Sequence, residues 1–271
     1  VIKYSKAQAR RDLPTRTARD NKTRGGKTLV IAGSEGMWGA AVFSAMAAAR
    51  TGAGYVYLFQ TRKNFPVAKV PDLLVLKKIK ASELKKFSAI AIGPGLQGDV
   101  FIRAWLKKLR SHPHVVVDAS ALAVFARLKN FRAPKTWVLT PHEGELAKML
   151  GVSSQAIRAQ REKYVRLAHK KFGVVVLLKG HRTLVATENK IWEIPTGNPS
   201  LAKAGTGDVL TGVITGFISQ GVESPRAAAL GAFTHGSLAD RWIRSGNDVL
   251  SLLASDLLAL LPSTLKKLRR Q

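Results

Sequence analysis

GNPSLAKAGTGDVLTGVITG, residues 197–216, begins as a loop and ends as a helix. Gly205, Thr206 and Gly207 are small, and the apolar pairs Val209/Leu210, Val213/Ile214 and Phe217/Ile218 then recur at helical spacing. A helix therefore starts at this loop. Its first backbone N–H groups lack partners within the helix and carry the positive end of the dipole, so a glycine-lined start admits an anion such as a phosphate. Asp208 is out of place in such a cradle, because a carboxylate repels an anion. Two readings of it stay open. It is a first-turn carboxylate that favours the dipole, or a base that takes a proton from a substrate hydroxyl while the N–H groups hold a transferring phosphate.

Upstream, the chain repeats a short β-branched run, a glycine or polar turn, and a helical pattern. KTLVIA at 27–32 runs into Gly33-Ser34-Glu35-Gly36, and GAAVFSAMAAAR at 39–50 is apolar on nearly every side, as expected of a helix buried against a sheet. The runs at 52–59, 88–92, 114–117, 137–139 and 174–178 read as further strands. One ends in Gly93-Pro94-Gly95, another at Asp118, another at Thr140-Pro141-His142-Glu143-Gly144-Glu145. Open α/β sheets bind ligands beyond the C-terminal ends of their strands, so Asp118, His142 and Glu145 can share one crevice. Each also has a plain reading as a turn, loop or first-turn helix residue. Lys179-Gly180-His181-Arg182-Thr183 follows strand 174–178, and the runs at 183–187 and 190–194 read as a hairpin that either closes over a nucleotide or carries a surface lysine.

Residues 153–172 read as one amphipathic helix. Ser224-Pro225 opens another that runs towards Trp242, and Ser255-Asp256 caps a leucine-rich helix ending at Pro262. Residues 1–26 read as a basic arm ahead of the first strand, and the mixed segment 63–86 has no assignment. Without repeat, linker or shift of composition, residues 1–271 read as a single domain: a mainly parallel sheet with helices on both faces.

Composition narrows the function. A hydrophobic share of 46% over 271 residues suffices for a sizeable core. Lys and Arg number 44 against 17 Asp and Glu, and the resulting +27 is spread from Lys3 to Arg270. Such a field attracts nucleic acid, membrane surface or small anions. No zinc-finger spacing or aromatic RNA-binding signature accompanies it, so a solvated basic surface is the plain reading and specific nucleic-acid binding is not expected. The absence of cysteine excludes disulfides and thiolate chemistry. No run approaches the roughly 18 apolar residues of a membrane span and residues 1–14 contain no apolar signal core, so a cytoplasmic protein without membrane association is expected. Because the chain begins at Val1, a few native residues are expected to precede it.

Several stretches recur together in a recognisable order: Arg24-Gly25-Gly26-Lys27 with Val30-Ile31-Ala32-Gly33-Ser34, GMWGAAVFSAMAAARTGAG at 36–54, Ala91-Ile92-Gly93-Pro94-Gly95-Leu96, and Val116-Val117-Asp118-Ala119. The loop 139–145, Leu178-Lys179-Gly180 and Gly205-Thr206-Gly207-Asp208 complete the series. Over nearly the whole chain this series resembles the ADP- or ATP-dependent NAD(P)H-hydrate dehydratases of the ribokinase-like superfamily. Gln97, where the family usually has a glycine, and His181, near a commonly small position, depart from the pattern.

The resemblance implies a three-layer α/β/α sandwich and a lyase that repairs NADH and NADPH hydrated on the nicotinamide ring. Such an enzyme dehydrates the S-epimer at the expense of ADP, giving AMP and phosphate, or of ATP, by phosphorylating the ring hydroxyl and eliminating phosphate. By the same resemblance Asp208 is the base on that hydroxyl, and Gly205, Thr206 and Gly207 form the anion hole. Lys179, Gly180, His181, Arg182 and Thr183 hold the AMP part. Ala40, Gly95 and His142, together with Asp208, contact the hydrated dinucleotide, and Mg²⁺ bridges phosphates. A homo-oligomer, a tetramer, is implied, and a separate epimerase is expected to supply the usable epimer, since the chain lacks the epimerase domain sometimes fused ahead. The second reading is a kinase of the same superfamily acting on a sugar or thiazole alcohol, because the Gly-Thr-Gly-Asp site serves either. A basic nucleic-acid-binding protein is the third.

Overall fold

A computed structural model describes residues 1–59 and 70–270 of the chain. The N-terminal segment forms strand β1 (Ile2–Lys3) and helix α1 (Lys6–Asp12), followed by β2 (Lys27–Ile31), α2 (Trp38–Thr51), β3 (Tyr55–Phe59), β4 (Leu74–Leu76) and β5 (Ala89–Ile92). Next come α3 (Asp99–Lys108), β6 (Val115–Val117), α4 (Ser120–Ala126), β7 (Val138–Leu139), α5 (Glu143–Leu150), α6 (Ser154–Ala159), α7 (Arg161–Phe172) and β8 (Val175–Leu178). The hairpin β9 (Leu184–Ala186) and β10 (Ile191–Glu193) leads to α8 (Thr206–Ser219), α9 (Ser224–Arg244) and α10 (Ala254–Arg270).

These strands form one sheet in the order β1-β10-β9-β8-β7-β6-β5-β2-β3-β4. Every pair from β8 to β4 is parallel, while β9 is antiparallel to both β8 and β10. The chain first builds outward from β2 to β4, then returns to the other side of β2 with β5 and builds the opposite way. β2 and β5 therefore flank a topological switch point, where a crevice opens beyond the strand ends.

Strand alternation sorts side chains to two layers. In β5, which reads AIAI, Ile90 and Ile92 enter the core beneath α3, α4, α5 and α7, whereas Ala89 faces the layer of α8 and α9. The small residues on that second face let helices lie close. A Cβ on Gly212 of α8 would come within 2.1 Å of the Ser44 carbonyl oxygen of α2, and one on Gly216 within 2.9 Å of that of Ala48. From Val209 to Ser219 every residue of α8 is buried, so the helix that begins at the glycine loop is a rigid, central element.

Four expectations are corrected. Residues 1–26 already contain a strand: Ile2 pairs with Trp192 in parallel, and Tyr4 donates to Asp12 at 2.7 Å, docking α1. The single helix expected over 153–172 is two, because Gln160 (φ −140°, ψ 53°) leaves helical geometry. The cap of α9 is Glu223 and not Ser224, which lies inside the first turn, while Pro225 falls in that turn as expected. Finally, α10 does not stop at Pro262. An interior proline costs about 3 kcal/mol, whereas burying Leu265 and Leu268 beyond it returns about 1.5–3 kcal/mol each, so the apolar stripe begun by Leu257 and Leu261 carries the helix on. Part of the unassigned segment 63–86 lies outside the described residues; its remainder contains β4 and a tight helical turn, Ala81–Lys86.

Candidate active site

α8 starts without a side-chain cap. Gly205 precedes it in the left-handed region (φ +86°), and a Cβ there would also sit 2.9 Å from that of Ala254 and 3.0 Å from the Phe43 ring. Only glycine meets both demands. The Thr206 hydroxyl turns back to donate to the carbonyls of Leu201 and Lys203, both at 2.8 Å, instead of closing the helix start. The Thr206 N–H also turns back, to the Lys203 carbonyl at 3.4 Å, so it is the N–H groups of Gly207 and Asp208 that follow it in the first turn, with the dipole behind them.

Asp208 sits in the first turn of this helix, half-buried. Burial, reinforced by the charge of Asp118 and opposed by that of Lys179, pushes its carboxyl up to about 7. Lys179, at the end of β8, places Nζ 2.9 Å from Asp118 Oδ1 and 3.6 Å from Glu145 Oε2. Burial disfavours its charge, but these two carboxylates hold its pKa above the ordinary lysine value. Asp118, at the end of β6, is 2% exposed, and Thr211 donates to its other oxygen at 2.8 Å. Burial works against that carboxylate, yet Lys179 and the hydrogen bonds keep it below the ordinary range. The result is a graded set of charges: a firmly ionised Asp118, a firmly charged Lys179, and an Asp208 poised near neutrality.

His142 caps α5. Its Nδ1 accepts from the N–H groups of Gly144 and Glu145 at 3.0 and 3.3 Å, and the Glu145 carboxylate accepts from the His142 N–H at 2.8 Å. This reciprocal box occupies the N–H groups of His142, Gly144 and Glu145. It leaves the ring half in solvent, with Nε2 3.5 Å from Glu145.

A cavity of about 960 Å³ joins these parts, bounded by His142, Lys179 to Thr183, Thr206 and Gly207, and on its far wall by α9. Ala40, Gly95, Gly205 and Asp208 are not among its lining residues. Ala40 and Gly95 meet each other instead, at the switch point: a Cβ on Gly95 (φ +61°) would lie 2.8 Å from that of Ala40. Arg182 also adopts a left-handed backbone (φ +52°) at the tip of the β8–β9 turn. Behind that turn Arg161 donates to the Lys179 carbonyl at 3.2 Å and to the His181 carbonyl, with Glu143 3.3 Å from its Nε.

Arg161, Thr211 and His235 escaped the sequence reading. Arg161 lies in a basic helix where one arginine looks like the next, while Thr211 and His235 carried a weak signal as polar residues on otherwise apolar or small helix faces. Among the described residues no three carboxylate or imidazole groups converge as a metal cage. A divalent ion carried on ligand phosphates with its own waters, as Mg²⁺ commonly binds, would need no such cage.

Comparison with known proteins gives the family. Residues 28–263 match the sequence model described as NAD(P)H-hydrate dehydratase. The ADP-dependent (S)-NAD(P)H-hydrate dehydratase of Bacillus subtilis is 34% identical over 97% of this chain and 98% of its own. A bifunctional NAD(P)H-hydrate repair enzyme of Moorella thermoacetica is 34% identical over 98% of this chain, which spans only 54% of that relative. The chain is thus about half the length of the bifunctional relatives it matches. The crystal structure of the Bacillus subtilis ADP/ATP-dependent NAD(P)H-hydrate dehydratase, co-crystallised with ATP and Mg²⁺, superposes with a TM-score of 0.87 at 30% identity, covering 99% of both chains. A hydroxyethylthiazole kinase from Pyrococcus horikoshii shares the fold alone, at 15% identity and a TM-score of 0.66. The chain belongs to the NAD(P)H-hydrate dehydratase family, and its architecture is ribokinase-like.

Proposed function

We propose that this chain, acting as one domain over residues 1–271, dehydrates the S-epimer of hydrated NADH or NADPH at the expense of ADP or ATP. One observation carries the reading: Asp208, a carboxylate poised near neutrality, stands in the uncapped first turn of α8 beside the charged Lys179. A general base works best when its pKa lies near the operating pH. Hydroxide is a poor leaving group, so direct loss of water from the hydrated ring is slow. Asp208 takes the proton of the ring hydroxyl as its oxygen forms a bond to the terminal phosphorus of the nucleotide; the bond from that phosphorus to the bridging oxygen breaks, and AMP leaves when ADP is the donor. Phosphate then departs with the electrons of the carbon–oxygen bond, and an adjacent ring carbon loses a proton to restore the double bond.

The backbone of Gly205, Thr206 and Gly207 receives the charge that develops on the transferring phosphate, the long bond from Thr206 N–H to the Lys203 carbonyl (3.4 Å) giving way to it. A Cβ added to Gly207 would lie 3.6 Å from Lys179 Nζ, so that ammonium borders the same seat. Lys179, Gly180, His181, Arg182 and Thr183 hold the AMP part along the β8–β9 turn. Ala40 and Gly95 at the switch point, with His142, take the hydrated dinucleotide. Mg²⁺, carried on the nucleotide, neutralises phosphate charge. We assign the chain to the cytoplasm and to a homo-oligomer, with an epimerase as its pathway partner; no helix among the described residues is long and apolar enough to cross a membrane.

The test is recovery of reduced-nicotinamide absorbance from hydrated NADH with Mg²⁺ and either ADP or ATP. We expect recovery with one inorganic phosphate released per ring restored. A stable phosphorylated alcohol in its place would move the assignment to a kinase of the same fold.

A further inference from the structure

α9 packs with a small-residue face, Ala228, Ala229, Gly231, Ala232 and Gly236 among them, and one bulky polar residue stands within it. His235 is 7% exposed and places Nε2 2.9 Å from the carbonyl oxygen of Thr206. A carbonyl only accepts, so the ring proton is on Nε2. Burial lowers the pKa of this ring to about 4, with the charge of Lys179 acting in the same direction, so at neutral pH the ring is an uncharged donor in one tautomer. Nδ1 carries the lone pair, on a residue that borders the large cavity.

The group that His235 holds is the first residue of α8, which lies between two glycines and has no side-chain cap. Of the hydrogen bonds made by the Thr206 hydroxyl and N–H, all run to Leu201 and Lys203, in the segment of chain just ahead of it. The bond from His235 comes instead from a separate, buried helix. We propose that His235 is a positioning residue for phosphoryl transfer: by fixing the Thr206 carbonyl from α9, it sets the tilt of the first turn of α8 and so the aim of the anion-hole N–H groups and of Asp208. This rests on the functional reading above. Displacements of the order of 1 Å at a transferring group cost about 10²-fold in rate, which is the scale on which such a tie acts.

Three substitutions test it. Glutamine carries an N–H at the reach of Nε2, asparagine only at the reach of Nδ1, and leucine carries none. We expect His235→Leu and His235→Asn to lower kcat by about 10–100-fold with KM for hydrated NADH changed less than about threefold, and His235→Gln to stay within about fivefold of the unmodified protein. Melting temperature of each variant is read alongside. Rescue by asparagine and not glutamine would shift the role to Nδ1 and overturn the proposal. So would an unchanged kcat in all three, or losses that follow melting temperature alone. ADP affinity by calorimetry separates this from the functional reading. If the unmodified protein binds ADP without dehydrating the substrate, the dehydratase reading fails, while an affinity lost in the leucine variant and kept in the glutamine variant still supports the tie. A protein that binds no ADP at all sinks both.

Discussion

Two helices, α5 and α8, begin at the same rim of the sheet, and Lys179 lies between them. Their starts are built in opposite ways. α5 is closed by its own side chains: His142 and Glu145 exchange hydrogen bonds with the backbone, and the N–H groups of His142, Gly144 and Glu145 are spent. α8 is left open: Gly205 has no side chain to offer, and the Thr206 hydroxyl faces backwards. Both helices carry an acidic residue in the first turn, yet Glu145 is used in capping while Asp208 is left partly desolvated with a raised pKa. A glycine-rich stretch before a helix therefore marks an anion seat only when no neighbouring side chain caps it. In this molecule a capped helix start and an uncapped one stand side by side.

The sharpest way to break this contrast is Asp208→Asn. We expect kcat to fall by about 10³-fold or more while ADP still binds, and near-normal turnover would remove Asp208 as the base. In the unmodified protein, kcat/KM should rise with pH through about 7 as Asp208 loses its proton. The stability effect has the opposite sign. Because the folded-state pKa lies above the ordinary 3.8, the folded protein binds the proton more tightly, and stability falls as pH rises from about 4 to about 7. Asparagine escapes that loss, so the variant should melt higher at pH 8, by about 2–4 °C for each kcal/mol relieved. A variant that melts lower at pH 8 contradicts the raised pKa.

Lys179→Met tests the bridge between the two helix starts. It leaves Asp118 buried without its counter-charge, a change that costs about 3–5 kcal/mol in denaturant unfolding. The same loss removes the one charge that lowers the Asp208 pKa, so the midpoint of any residual pH–rate profile should move upward. An unshifted midpoint would show that Lys179 does not act on Asp208.

Gly207→Ala separates a functional glycine from a structural one. The new methyl meets nothing closer than Lys179 Nζ at 3.6 Å, so folding should be unharmed or favoured by up to about 1 kcal/mol. It would occupy the anion seat, and ADP affinity should drop about tenfold. Equal affinity would mean that phosphate does not sit there. Gly212→Ala is the counterpart, since its methyl collides with the Ser44 carbonyl and should destabilise the protein whatever the ligand. The smallest effect is expected at the closed helix start: His142→Ala should lose about 1 kcal/mol of stability with ADP affinity unchanged, and an unaltered melting temperature would argue against the cap.

The sandwich was legible because its signals are local. The short apolar run at 88–92, the glycine turns after β2 and β5, and the paired apolar positions along α8 each span a few residues. What misled was equally physical. Gln160 interrupts a continuous amphipathic pattern, and Pro262 fails to interrupt one because the leucines on both sides of it reach the same core.

Of the chemistry, the chain itself determined that a glycine-flanked carboxylate opens a buried helix, since that depends only on residues 205–218. It also placed Asp118, His142 and Lys179 at strand ends. Tertiary structure decided what those groups become. Asp118 lies 61 residues from Lys179 and 93 from Thr211, and only the closing of the sheet puts all three in hydrogen-bond contact beneath Asp208. His235 and Thr206, 29 residues apart, meet only because α9 packs across the start of α8. Secondary structure follows from short-range sterics and periodicity, but a pKa is set by every charge and solvent boundary around the group, and those come from segments that the linear order keeps apart.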